Sequence, residues 1–428
     1  MPDAARRDFL KAAPAAFTAS LFTGAVRGAN ARPRIAHIGM GRMGRTNLGI
    51  AIKQENVENV AVCDVYQPHL DQAVALTKGG AKGVRDFREI LADRAIDIVA
   101  ISTPDHWHAY MTVEACKAGK DVYVEKPICV TVEEGMKMVQ AARKYQRVVQ
   151  AGTMQRSGAH FQQACEIVRS GKLGKITFVR TWNWGLAPED GIGNPPDSDP
   201  PADLDWDMWL GPAPRRAYNR NRFGVDPKTF SNFRWFWDYA GGMMTDWGIH
   251  WLDIVQMAFD EVMPLAVTAL GGKYWLTDNR QTPDTLQVTY EYPGWIATYE
   301  NRYGNGESMF GKSGGILFHG TKGTLFIDRS EYRVVAERGS DLSAENVKQS
   351  NNSNMAHWAN FLDCVRTRKK PIADIETCQR STTTCLLGNV ALRSRLRIDW
   401  DAKRWTTEQG EARRFLSRKE RSPWKIVI

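Results

Sequence analysis

The hexapeptide Gly39-Met40-Gly41-Arg42-Met43-Gly44 constrains this chain more than any other feature. It follows a strand-like run at residues 34–38, opens a helical stretch, and precedes Asp64, which ends the next strand-like run. In that setting the glycines allow a tight turn, close approach to a pyrophosphate and close packing of helix on strand. Backbone N–H groups at the helix start then face the phosphates. Asp64 stands where a carboxylate binds the diol of an adenosine ribose. Its charge would repel a 2′-phosphate, so NAD is expected over NADP, which stays open if a basic neighbour intervenes.

Further strand-like runs at residues 96–102, 121–124 and 147–150 alternate with helical stretches. That rhythm predicts an α/β, doubly wound parallel sheet with both faces covered, over residues 32–153. Two strand ends carry polar clusters: Ser102-Thr103-Pro104, followed by His106 and His108, and Glu125-Lys126-Pro127. Ligands of such sheets bind outside the carboxyl ends of the strands, so these groups are expected near the nicotinamide end of the dinucleotide. The two histidines lack a third ligand at sensible spacing, and no metal is expected there.

At 428 residues the chain exceeds one ordinary core, and a 43% hydrophobic, 25% charged composition is that of a folded protein. No run of 18 apolar residues occurs, so no spanning helix is expected. Residues 1–31 read as an address of twin-arginine type. Arg6-Arg7 is followed by Phe9-Leu10-Lys11, an apolar stretch and the small-x-small triplet Ala29-Asn30-Ala31. This segment holds four basic and two acidic residues, so its removal takes the net charge from +9 to +7. The remaining excess is scattered and forms no recognition helix or zinc finger, so no nucleic-acid partner is expected. Seven cysteines without a CxxC read as free buried thiols, compatible with export after folding.

From residue 154 to 428 the pattern changes to alternating runs at 176–182, 266–270, 286–290, 296–299 and 324–327. It predicts a largely antiparallel sheet with one face covered. Helical stretches at 354–365 and 378–396 are expected to return to the first domain.

Taken together, these motifs resemble the glucose-fructose oxidoreductase, inositol dehydrogenase and rhizopine catabolism (Gfo/Idh/MocA) family. The resemblance rests on the Gly39–Gly44 turn, Thr103-Pro104 with His108, and Ala118-Gly119-Lys120 leading to Glu125-Lys126-Pro127. Asp246 with His250, Lys322-Gly323-Thr324-Leu325 and Pro423-Trp424 extend it over essentially the chain beyond the address segment. It implies an α/β substrate domain whose sheet serves subunit contact, hence a homo-oligomer. It also implies that Gln155 and Arg156 approach cofactor and substrate, although solvated polar residues are an equal reading. By the same resemblance Lys126 holds the reacting hydroxyl beside the cofactor, His250 takes or relays the proton, and Asp246 positions both. Met243 stands where the family often has a small residue.

Read as one helix, residues 241–253 put Asp246 and His250 four apart on a shared face, where the carboxylate would raise the basicity of the imidazole. Of 15 tryptophans, eight lie between Trp182 and Trp251; most read as packing, with Trp184 and Trp235 chosen as candidates for the substrate cleft. Residues 188–207 hold five prolines and seven acids, but no EF-hand pattern, and read as a surface loop.

The expected activity is hydride transfer between a ring carbinol of a sugar, glycoside or cyclitol and a nicotinamide cofactor retained by an exported enzyme. Glycoside cleavage by transient oxidation with bound NAD is the alternative, and a non-catalytic sugar-binding module the lesser one.

Overall fold

Short, largely buried runs build the first layer of this computed structural model, which describes residues 32–223 and 231–428. The expected export segment, residues 1–31, lies outside them. Strands β1 (Arg34–Ile38), β2 (Glu58–Cys63), β3 (Lys82–Val84), β4 (Ile98–Ile101), β5 (Asp121–Val124) and β6 (Val149–Ala151) form one sheet in the order β3-β2-β1-β4-β5-β6. Every pair is parallel. All four residues of β4 and of β5 are buried, as a sheet covered on both faces requires. The three-residue β3 is absent from the expectation, being too short to show a period. The order reverses between β1 and β4, so a crevice opens at their carboxyl ends.

The second sheet has ten strands. They are β7 (Ile176–Trp184), β8 (Ala266–Gly272), β9 (Thr285–Tyr292), β10 (Trp295–Arg302), β11 (Gly314–Gly320), β12 (Gly323–Ile327), β13 (Glu331–Ala336), β14 (Glu345–Lys348), β15 (Ile398–Asp401) and β16 (Thr406–Thr407). Their order is β14-β13-β12-β11-β7-β10-β9-β8-β15-β16, antiparallel except for β7 with β10. Leu286, Val288, Tyr290 and Tyr292 of β9 are buried at alternate positions, so one face carries the helices and the other turns outward.

Two helices tie this half to the first sheet. In Ser353–Thr367 the wholly buried Trp358 stacks on Tyr123 of β5, ring centroids 4.5 Å apart. Burying a ring of that size contributes roughly 1.5–3 kcal/mol. Beside the helix Ile375–Ser394, its N-cap Asp374 pairs with Arg143, and Gln379 donates to the Val132 carbonyl at 3.1 Å.

All seven cysteines are unpaired and buried. Among the described residues no helix is long and apolar enough to cross a membrane.

Candidate active site

A cleft of about 490 Å³ runs along the carboxyl ends of β1, β4 and β5 and reaches helices of the second half. At one end the turn after β1 behaves as its glycines require. Gly39 has φ +86°, and a Cβ there would lie 2.6 Å from the Thr103 nitrogen. A Cβ on Gly44 would meet the Gly39 oxygen at 1.8 Å, so helix Arg42–Ala51 packs against the turn only with glycine. Gly41 lines the cleft, and a Cβ on it would meet no protein atom within 4 Å. These features fit a pyrophosphate at a helix N-terminus.

Asp64 locks the same turn. Its carboxylate accepts from the Met40 N–H at 2.6 Å and from the Tyr66 N–H at 2.9 Å, with His69 3.6 Å away. Gly39, Arg42, Met43 and Asp64 line the cleft, while Met40 turns its side chain into the core. Arg45, which donates to the Met40 carbonyl at 2.6 Å, adds a cation to this end.

Ser102, Thr103 and Pro104 line the middle. His108 is also there, with its ring nitrogens 2.7 Å from the Pro127 carbonyl and 2.8 Å from that of Thr103. Burial pushes His108 down to about 4, so the ring is neutral at neutral pH and can donate to only one carbonyl. It joins the two strand-end loops. Glu125 accepts from Asn47 at 2.8 Å, and Asn47 also reaches the Ser102 hydroxyl at 3.1 Å. Burial raises the Glu125 carboxyl above its ordinary range, against the Asn47 bond and Lys126. His106 lies outside the cleft, bonded to the Trp209 carbonyl at 3.0 Å.

At the far end, Lys126 Nζ donates to the Asp246 carbonyl and to Asp246 Oδ1, both at 2.9 Å. Arg234 reaches the same Oδ1 at 3.3 Å, and Asp246 Oδ2 is buried without a hydrogen-bond partner. Burial alone would raise the Asp246 carboxyl, but Arg234 and Lys126 outweigh it and hold the group below the usual range. Asp246 and His250 both line the cleft, yet not as one helix. The chain breaks at Trp247, between helices Gly242–Asp246 and Gly248–Ala258. Asp246 engages the two cations rather than the imidazole, which corrects the expected carboxylate–imidazole pair. Burial first, then Lys126 and Arg329, press His250 well below its ordinary value. It is therefore a neutral ring with an unpartnered Nδ1.

Three further expectations are corrected. Arg156 lies outside the cleft, buried between Asp253 at 2.8 Å and Glu261 at 2.8 Å, because a desolvated guanidinium needs carboxylates close by. Trp184 belongs to β7, where register with Arg302 of β10 turns it to the outward face; the Arg302 guanidinium covers it at 3.6 Å. Trp235 is buried under Arg280, 4.7 Å from its ring, and Trp247 is the tryptophan beside His250 in the cleft. Gln155 stands behind the wall: its amide donates to the His250 carbonyl at 2.9 Å and accepts from Arg329 Nε at 3.0 Å.

Asn47, Asp105, Arg234 and Arg329 escaped the sequence reading. Asp105 opens a helix directly after Thr103-Pro104; Arg234 sits in the short 3-10 helix Asn232–Trp235 and Arg329 in a turn, neither with a local motif.

Comparison with known proteins identifies the two halves of the fold. Residues 33–153 match the oxidoreductase family's NAD-binding Rossmann fold, and residues 158–426 match its C-terminal alpha/beta domain. The chain is similar to inositol 2-dehydrogenase of Salmonella typhimurium, 31% identical over 36% of this chain and 46% of that protein. It is also similar to a glycosyl hydrolase family 109 protein of Shewanella sp., 32% identical over 36% of each chain. The matched segment thus spans less than half the length of these curated relatives. Among solved structures, the WlbA dehydrogenase from Bordetella pertussis, in complex with NADH and UDP-GlcNAcA, superposes with a TM-score of 0.65 at 19% identity, over 86% of this chain and 99% of that one. Aldose-aldose oxidoreductase from Caulobacter crescentus gives 0.65 at 20% identity, over the same shares. The two family domains together cover nearly all of the described residues, and the chain belongs to the Gfo/Idh/MocA oxidoreductase family, with an NAD-binding Rossmann domain followed by an α/β domain.

Proposed function

We propose that this chain moves a hydride between a ring carbinol of a sugar, glycoside or cyclitol and NAD held in the cleft. The observation that carries the reading is Lys126, fixed by Asp246 at 2.9 Å beside His250, at the end of the cleft away from the Gly39–Gly44 turn. Bound NAD supplies the electron-pair acceptor at this end. Lys126 keeps one N–H beyond the two given to Asp246 and uses it to hold the carbinol oxygen. His250, neutral across the physiological range, offers a lone pair to the hydroxyl proton. Asp246 fixes Lys126, and Gln155 fixes the backbone of His250. Asp64 favours NAD over NADP.

The test is a screen of monosaccharides, disaccharides and cyclitols against NAD-loaded protein, read as reduced-nicotinamide absorbance. Some substrate should give signal, and Lys126→Met should lower turnover about 10²- to 10⁴-fold while NAD still binds. Unchanged turnover in that variant would reject the role given to Lys126. The family 109 glycosyl hydrolase relatives favour one second reading, glycoside cleavage with transient oxidation. Release of nitrophenol from a nitrophenyl glycoside without net cofactor change would select it.

We further propose that residues 1–31 direct export by the twin-arginine route and that the cofactor travels with the folded protein. Protein recovered from the periplasm without added cofactor should release nicotinamide dinucleotide on denaturation. Its absence there would sink this proposal.

A further inference from the structure

Cations and carboxyls meet at the substrate end of the cleft. Lys126 and Arg234 both pair with Asp246, and the buried carboxyls of Asp105 and Glu125 also face Lys126. Arg329 comes from the turn between β12 and β13 and has no carboxylate within 4 Å among the described residues. Its guanidinium lies over the Trp247 ring at 4.5 Å, and its Nε donates to Gln155 at 3.0 Å. That bond fixes the plane and leaves the two Nη groups, the forked end, for another acceptor. The same side chain lines a second hollow of about 540 Å³, where Ser350 and Asn354 add polar groups. Arg329, Met154 and Asn354 belong to both cavities. A half-buried guanidinium with no carboxylate in contact is costly unless a ligand supplies one. Burial indeed pulls Arg329 below its ordinary value, with only Asp246 opposing.

We infer that the substrate is a sugar or cyclitol carrying a carboxylate, and that the forked end of Arg329 binds this carboxylate while Lys126 holds the reacting hydroxyl. The inference rests on the hydride-transfer reading and narrows it. Arginine suits the task because its planar fork matches both carboxylate oxygens at once, which a lysine does not. Stacking on Trp247 sets the plane of the fork before binding. Arg329 binds substrate but takes no part in the proton transfer.

The experiment compares matched pairs on the full, NAD-loaded protein: glucuronate with glucose, galacturonate with galactose, and glucose 6-phosphate as a separate arm. Turnover is read by reduced-nicotinamide absorbance and binding by calorimetry. The acid should exceed its neutral partner at least about tenfold in kcat/KM. Arg329→Gln should erase that preference through KM, with calorimetric affinity for the acid falling in step. Arg329→Lys, which keeps the charge but not the fork, should restore only part of it. A neutral sugar equal to or better than its acid overturns the inference while leaving hydride transfer intact. Preference for the phosphate overturns the carboxylate assignment. An acid preference that survives in Arg329→Gln overturns the residue assignment. If no sugar of either kind is oxidised, hydride transfer itself has failed, and calorimetry still decides whether the acids bind at Arg329.

Discussion

Asp105 opens a helix directly after Thr103-Pro104, yet its position alone does not mark it as a cleft residue. An acid in the first turn of a helix is ordinarily a solvated partner of the helix dipole. Here the helix Asp105–Lys117 starts inside the cleft. Burial pushes the Asp105 carboxyl up to about 7, Asp246 adding to the rise and Arg234 and Lys126 opposing it. Between about pH 4 and pH 7 the folded chain therefore keeps a proton that the unfolded chain releases. The stability associated with this group is complete below about pH 4 and is lost as pH rises through 7. Asp105→Asn stays neutral throughout. Its Tm minus that of wild type should be flat near pH 4 and grow by a few degrees between pH 5 and pH 8, measured by calorimetry. A gap that does not change with pH would show that Asp105 ionises normally. Removing this carboxyl takes one negative group from the cleft that Arg329 lines, so affinity for anions should not fall in the same variant.

At the scale of elements, what could be read early was whatever repeats or is locally complete. The turn Gly39–Gly44 carries its own geometric demands, and Gly39 and Gly44 meet them through contacts with Thr103 and with each other. The buried runs of β1, β2, β4 and β5 stood out by composition. The three residues of β3 did not, and the break at Trp247 was hidden because Asp246 and His250 keep helical spacing across it. Alternation along β7 already implied that Trp182 and Trp184 share a face, but not which face the helices would cover. Pairing with β10 decides it: Tyr299, opposite Thr181, turns inward and donates to the Met243 carbonyl at 3.0 Å, so Trp184 turns outward. Arg234 and Arg329 were illegible for a different reason. Each is one arginine in a short connecting segment, and only the packing of distant segments gives it a place in the cleft.

For the whole molecule, the outward face of the ten-stranded sheet is the feature the single chain leaves unexplained. Leu270 of β8 is 81% exposed and Val335 of β13 is 61% exposed, while Ile296 of β10 is also exposed. Leu270 lies opposite Gln287 and Ile296 opposite Glu291, and both partners alternate with the buried positions of β9, so Leu270 and Ile296 point the same way. Cross-strand charges frame them, Arg397 bonding to Glu291 at 2.6 Å and Arg180 lying 3.4 Å from Glu300. An apolar strip with a polar frame, on a face that carries no helix, is suited to a second copy of the same face in an isologous pair. We propose that the chain is a homo-oligomer through this sheet. The sedimentation mass of the wild type should be a multiple of the 48.2 kDa chain, less any removed leader. Replacing Leu270 and Ile296 together by glutamate places like charges opposite each other across the two-fold axis, and the double variant should sediment as a monomer. Neither residue lines the cleft, so the dissociated chain should still bind NAD. A wild type that sediments as a monomer at micromolar concentration would leave this face without the partner proposed for it.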